Sequence, residues 1–305
     1  MSSSLPRKWT ALGQDLNQAR RKWAELEDVA ANPEDNTFSV IGHRYLREIL
    51  PELRAHTQRD YNQYFKLLEA VFGQIPIGEI RPRDVAEYLR VRGETSKVRA
   101  NREKALFSTI FNHARAWGYT DIANPCVGVK GFKEKSRDRY VSDEEYMAVW
   151  KVVHPTVQDA MDLALFTGQR TADVLKIRTA DIADGVINVA QNKTGKKLRI
   201  KIEGELATVI DRILQKPRDA KNPALLQDTN GERLTYFALR SRFDKARASV
   251  AADFQFRDLR AKAATDMNDL AGAQKLLGHK NRSTTEIYTR TRRGEIVSPL
   301  KKLVD

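Results

Sequence analysis

The chain has 305 residues, 41% of them hydrophobic, and carries 53 Lys and Arg against 40 Asp and Glu for a formal charge of +13. That length suits two compact domains, and the composition is ample for real cores. The charge favours a polyanionic partner; no apolar run approaches the ~18 residues that span a bilayer, and the start Met1 to Lys8 lacks the apolar stretch of a signal peptide, so nucleic acid is expected rather than a membrane, and the cytoplasm as compartment. Cys126 is the only cysteine, which excludes an intrachain disulfide and a Cys-based zinc site.

Residues 1 to 36 read as one short strand, Lys8 to Leu12, and a helix with apolar positions Leu16, Ala19, Trp23 and Leu26, too little for a domain. The turn formers Asn32, Pro33, Glu34, Asp35 and Asn36 make a linker. From there to residue 131 the pattern is helical throughout, with segments at 38–49, 55–72, 83–91 and 96–117 separated by punctuation at Pro51, at Gly73 to Pro82, and at Gly93. Basic residues crowd into this region: Arg81, Arg83, Arg90, Arg92, Lys97, Arg99, Arg102 and Lys104. Either the fourth helix enters a DNA groove while the loop before it touches phosphates, or these are charges on a solvated helix face.

Residues 132–142 form a polar, basic linker that includes Lys133 and Lys135, and Ser142 to Glu145 is a capping box that opens a second domain, 143–305. Helices are expected at 143–152 and 156–167, the latter stopped by Gly168, and a third near Arg170. Val186 to Val189 and Leu198 to Ile202 read as paired strands around the turn Asn192-Lys193-Thr194-Gly195, and helices resume after Glu205, with Leu225-Leu226 as a candidate third strand.

The five histidines show no metal-ligand spacing, and no glycine loop cradles a phosphate, so neither a metal nor a nucleotide cofactor is expected. What remains is a set of basic residues at structural junctions. Arg170 follows a helix stop and opens the next helix, where backbone N–H groups also favour anions, though such an arginine is commonly a surface charge. Lys193 lies in what is first of all a hairpin turn. Arg257 and Arg260 are one turn apart on one helix face, where two like charges repel unless an anion lies between them. Gln274 to His279 ends a helix at Gly278, and Ser283 to Glu286 reads as a capping box leading into Ile287 and Tyr288, which alone would pass for a packed or surface aromatic.

Together, Thr167-Gly168-Gln169-Arg170, Asn192-Lys193-Thr194-Gly195, Arg257-Asp258-Leu259-Arg260 and Leu276-Leu277-Gly278-His279, with Tyr288 nine positions on, stand in an order that resembles the tyrosine recombinases, phage-type integrases in particular. The resemblance runs from about 38 to 305. It implies a mainly α fold with a small antiparallel β-sheet: a helical core-binding domain over 37–131 and a mixed α/β catalytic domain over 143–305. Residues 1–36 resemble the tail end of an arm-type DNA-binding domain. It further implies that Tyr288 attacks the scissile phosphate to leave a 3′-phosphotyrosyl link, that Arg170, Arg260 and His279 hold the non-bridging oxygens, that Lys193 protonates the departing 5′ oxygen, and that Asp173 orients the arginines. Arg257 stands where the family most often has histidine; it stays charged and cannot take a proton, so it is expected to order the phosphate or to neutralise Tyr288 as it ionises. The implied partners are double-stranded DNA, three further copies of the chain, and directionality or DNA-bending accessory proteins. A type IB topoisomerase, which shares this chemistry, and a DNA-binding regulator without catalysis are the alternatives.

Overall fold

Phe38, Ile41 and Tyr45 share one helical face, and the first helix buries that face: α1 spans Phe38–Glu48, with the Thr37 hydroxyl accepting the Val40 amide as N-cap. In this computed structural model the described residues are 36–135, 137–267 and 269–289. The chain divides into two compact units, residues 1–136 and 137–305. The strand and helix expected before residue 36, and the tail beyond 289, lie outside the described residues.

The regular structure described in the first unit is helical: α1, α2 (Ala55–Phe72) and α3 (Pro82–Ala116), with single 3-10 turns between them. Aromatic rings fill its centre, Phe107 lying 4.9 Å from both Phe38 and Phe72 by ring centroids. The punctuation expected at Gly93 falls elsewhere. The helix runs through Gly93 and breaks at Ser96 (φ −161°, ψ 104°). Gly93 serves close packing instead: a Cβ there would stand 2.2 Å from Cζ of Phe132. Ser96 is where a helix can restart, because its hydroxyl accepts the Arg99 amide at 3.4 Å. Beyond the break, Glu103 is fully buried. It accepts from the Tyr88 hydroxyl (2.8 Å) and from two nitrogens of Arg92 (2.8 and 2.9 Å), so part of the basic crowd neutralises a carboxylate of its own unit.

Residues 132–142, read as a linker, are tethered at both ends. The Phe132 carbonyl and Glu134 accept from Asn101, and Glu134 also from Arg102, within the first unit; Arg137 donates to Asp258 and Arg139 to Glu145 within the second.

The second unit opens with α4 (Asp143–Val152), whose Ser142 and Glu145 form the expected capping box. Next come α5 (Pro155–Thr167), the single turn α6 (Thr171–Val174), strands β1 (Ile182–Ala183), β2 (Val186–Ala190) and β3 (Lys197–Lys201), and helices α7 (Glu205–Gln215), α8 (Tyr236–Ser249), α9 (Asp258–Asp266), α10 (Leu270–Leu277) and α11 (Arg282–Thr289). The strands form one antiparallel sheet in the order β1-β2-β3, with Asn188 opposite Arg199 and Val189 opposite Leu198. Strand alternation turns Ile187 and Val189 into the core and leaves Lys197, Arg199 and Lys201 outside.

The third strand is Ile182–Ala183, not Leu225-Leu226. Ala224 and Gln227 make only isolated bridges, to Arg178 and Arg233, while Leu225 and Leu226 are buried in the core. An apolar pair bounded by turn residues reads the same whether it pairs or simply packs.

α5 is covered on nearly all sides, and its apolar residues Val157, Ala160, Met161, Leu163 and Ala164 are buried. Its buried Asp159 and Asp162 are paired with Arg212 of α7, at 3.0 and 2.5 Å, and Asp159 also with Lys216. This central helix fixes where Gly168 and Arg170 emerge. Among the described residues, no helix is long and apolar enough to cross a membrane.

Candidate active site

Two glycines with left-handed backbone, Gly168 (φ +62°) after α5 and Gly278 (φ +67°) after α10, end their helices side by side. A Cβ on Gly168 would lie 3.1 Å from Leu277, and one on Gly278 3.0 Å from the Gln191 amide nitrogen. These helix ends aim carbonyls at Arg260, which α9 carries into the interior: Nη1 donates to the Gly168 carbonyl at 2.6 Å and Nη2 to that of Leu277 at 2.8 Å. Nη2 also lies 3.1 Å from Nε2 of His279, while Nε is buried with no hydrogen-bond partner.

Arg260 and Arg257 do not share a face. Arg260 is 3% exposed, whereas Arg257 sits before the first turn of α9, exposed, in an indentation lined by Thr171, Tyr236, Arg240, Asp244 and Arg247. The chain enters α9 with Arg257 already outside because Asp258 is pinned inward, accepting from Arg137 and from the Gln255 amide.

Arg170 stands at the N-cap of α6, its Nη1 3.5 Å from Oε1 of Gln191 and 3.9 Å from Oδ2 of Asp173. Asp173 is buried; its Oδ1 accepts the Asn192 amide at 2.7 Å, which ties the β2–β3 hairpin to the Arg170 segment. Lys193 is exposed at the tip of that hairpin, next to Thr194, whose hydroxyl donates to Gln191 at 2.8 Å.

Gln169 and Gln191 belong to the site although nothing in the sequence pattern marks them as buried. Both are buried, and the Gln191 amide donates to Oε1 of Gln169 (2.8 Å) and to the Leu277 carbonyl (3.0 Å), while the Gln169 amide donates to the carbonyls of Thr167 and Leu276. This amide pair joins the Arg170 junction, the hairpin base and the end of α10. Their positions beside Arg170 and Lys193 were the available signal, but a glutamine in a turn-like motif does not announce burial.

Tyr288 packs on Ala264, Ala273 and Leu277. Its ring centroid is 5.2 Å from that of His279 and 5.7 Å from Cζ of Arg260, so one chain brings the phenol, the imidazole and the guanidinium together. The capping box expected at Ser283 is absent: α11 already starts at Arg282, which places Ser283 inside its first turn and turns Thr285 inward. The hydroxyl of Thr285, fully buried, lies 3.0 Å from Nδ1 of His279.

Burial first, then the neighbouring Arg170, holds the Arg260 guanidinium down to about 10, with Tyr288 acting in the opposite sense. Burial, then Arg260, Arg170 and Lys196, pushes His279 down to about 4, so the ring is neutral at pH 7 in the free protein. The pocket thus gathers the positive charge of Arg170, Arg260 and Lys196, with the carboxylate of Asp173 beside it.

Of the basic residues singled out in the first unit, Arg81, Arg83, Lys97, Lys133 and Lys135 are exposed. Arg99 donates to Gln63 and approaches Glu103, Arg102 pairs with Glu134, and Lys104 is bent back onto the Val129 carbonyl.

The sequence profile of the phage integrase family matches residues 143–295. The integrase of Escherichia phage HK022 is 26% identical over 256 residues, covering 79% of this chain and 71% of that protein. Among solved structures, a lambda integrase dimer bound to a COC′ core site superposes with a TM-score of 0.76 at 23% identity, over 93% of this chain and 88% of that one. A lambda integrase tetramer bound to a Holliday junction does so with a TM-score of 0.76 at 22% identity, over 96% and 92%. The structural likeness is one of fold.

Proposed function

Since the chain belongs to the phage integrase family, we propose that Tyr288 is the nucleophile of a site-specific recombinase that breaks and rejoins double-stranded DNA. The phenol oxygen bonds to phosphorus and gives its proton to water; the bond from phosphorus to the 5′ oxygen breaks, and Lys193 gives that oxygen a proton. The products are a 3′-phosphotyrosyl link and a free 5′-hydroxyl, and attack by another 5′-hydroxyl reverses the steps. The phosphodiester energy is kept in the covalent link, so rejoining needs no ATP. Arg170, Arg260 and His279 take the non-bridging oxygens, where fixed cations stabilise charge gathered in the transition state. Asp173 orients Arg170, and Arg257 orders the phosphate or neutralises the ionising phenol.

The observation that carries this reading is the packing of the Tyr288 ring against His279 and Arg260. The unpartnered Nε of Arg260 supports it, as a buried donor suited to an anion. We further propose that residues 37–131 act as the core-binding domain, with the exposed Arg81, Arg83, Lys97, Lys133 and Lys135 against phosphates and Arg99, Arg102 and Lys104 exchanging their protein partners for DNA. A tetramer on two duplexes is the proposed working form, supported by the lambda integrase tetramer bound to a Holliday junction, in the bacterial cytoplasm where the DNA lies.

The test is a covalent adduct. The protein is mixed with a library of duplex fragments and denatured, and the attached DNA is sequenced. An adduct mapped to Tyr288 and absent in Tyr288→Phe is expected; an adduct that persists in Tyr288→Phe refutes the assignment. Relaxation of supercoils without recombinant product identifies the topoisomerase alternative.

A further inference from the structure

His279 lies between two partners of different chemistry. On one side Nη2 of Arg260 is 3.1 Å from Nε2; on the other the Thr285 hydroxyl is 3.0 Å from Nδ1. A guanidinium can only donate, so Nε2 must present its lone pair. A neutral ring therefore carries its proton on Nδ1, and the Thr285 oxygen accepts it. Thr285 is fully buried on α11, three residues before Tyr288, and α11 meets α9 where the Thr265 hydroxyl shares its proton between the Ala261 carbonyl at 2.9 Å and the Tyr288 carbonyl at 3.2 Å.

We propose that Thr285 is a positioning residue: together with Arg260 it holds His279 as the Nδ1–H tautomer on the helix of the nucleophile, so that a phosphate oxygen arriving at Nε2 is met only after that nitrogen takes up a proton. This rests on the recombinase reading for its catalytic consequence but not for the tautomer. A bare Nε2 lone pair repels a phosphate oxygen. With Nδ1–H already engaged, the ring answers by gaining a second proton rather than by turning over. The charged and titratable groups facing the ring are Arg260 on α9, Arg170 ahead of α6, Lys196 on the hairpin and Tyr288 on α11. The three cations oppose that second proton in the free protein, and an anion among them removes the opposition. The imidazolium then donates to phosphate through Nε2 and to Thr285 through Nδ1, both charge-assisted.

The experiment reads the ring nitrogens by long-range proton–nitrogen NMR at pH 7, with His279 assigned by its loss in His279→Asn. In the free parent protein and in Thr285→Ser, Nδ1 is protonated and Nε2 bare. In the nearly isosteric Thr285→Val, Arg260 still favours a bare Nε2, but the Nδ1 proton loses its acceptor and its resonance moves upfield. Adding the duplex recovered by adduct sequencing to the Tyr288→Phe protein protonates Nε2. In single-turnover cleavage, Thr285→Val slows adduct formation about ten- to a hundredfold, the worth of one charge-assisted hydrogen bond, without weakening DNA binding, and Thr285→Ser restores most of the rate. A parent ring protonated on Nε2, or a mixture of tautomers, overturns the inference. So does parental cleavage by Thr285→Val, in which case the Tyr288 adduct and the recombinase reading stand. Should Thr285→Val not fold, Thr285→Ala takes its place in both readouts.

Discussion

Replacing Arg260 by methionine separates what the site needs from what the fold needs. A buried guanidinium whose pKa falls from 12.5 to about 10 is disfavoured as the cation in the folded protein by about 3 kcal/mol. The sign follows from the direction. At every pH below 10 the group is charged in both folded and unfolded chains, so the penalty is present in full across the neutral range and is relieved only above pH 10. Arg260→Met removes it and forfeits the bonds to the Gly168 and Leu277 carbonyls and to Nε2 of His279, at about 1 kcal/mol each. The balance is a protein about as stable as the parent, measured by urea denaturation at pH 7. Adduct formation falls at least about a hundredfold in the same variant, because a fixed donor to the transition-state oxygens is gone. A loss of more than about 2 kcal/mol would refute the reasoning, since the guanidinium would then be holding two helix ends together rather than waiting for an anion.

The depressed pKa of His279 makes a contribution to stability that is complete above about pH 6.5 and lost as the pH falls toward 4; His279→Asn should flatten that part of a stability-against-pH curve, and an unchanged slope would dismiss the assignment. Gln191→Leu strands the Gln169 oxygen, leaves the Leu277 carbonyl to Arg260 alone and should cost about 2 kcal/mol, with Gln169→Leu adding less than its own single cost in a double-mutant cycle; strict additivity would mean that the amides do not act as a pair. Gly168→Ala forces a side chain into a left-handed backbone 3.1 Å from Leu277, so thermal unfolding should show a loss of at least about 1 kcal/mol, and a neutral outcome would show that this junction yields.

The elements that were legible carry their own local signals. Ser142 with Glu145 opens α4, Gly168 and Gly278 close α5 and α10, and a four-residue turn separates two alternating strands. The misreadings fall where one pattern has two meanings. Gly93 read as a stop because glycine usually interrupts helices, yet a distant ring, Phe132, needed the space. Ser283 with Glu286 matched a capping box, but the helix had already begun at Arg282. Arg257 and Arg260 were read as one charged face, but the pairing of Asp258 with Arg137, far away in sequence, turned one out and the other in.

By itself the sequence determined which chemistry this chain carries and in what order its junctions occur, because caps, turns and alternation depend on neighbours within a few residues. Only the tertiary structure decided that Arg260 is buried against two helix ends, that Gln169 and Gln191 brace the junction, and that Thr285 meets His279. These contacts join residues up to 107 positions apart, as in Gln169 with Leu276, and they depend on which face each helix turns to its neighbour once the core is packed. No local pattern records that choice.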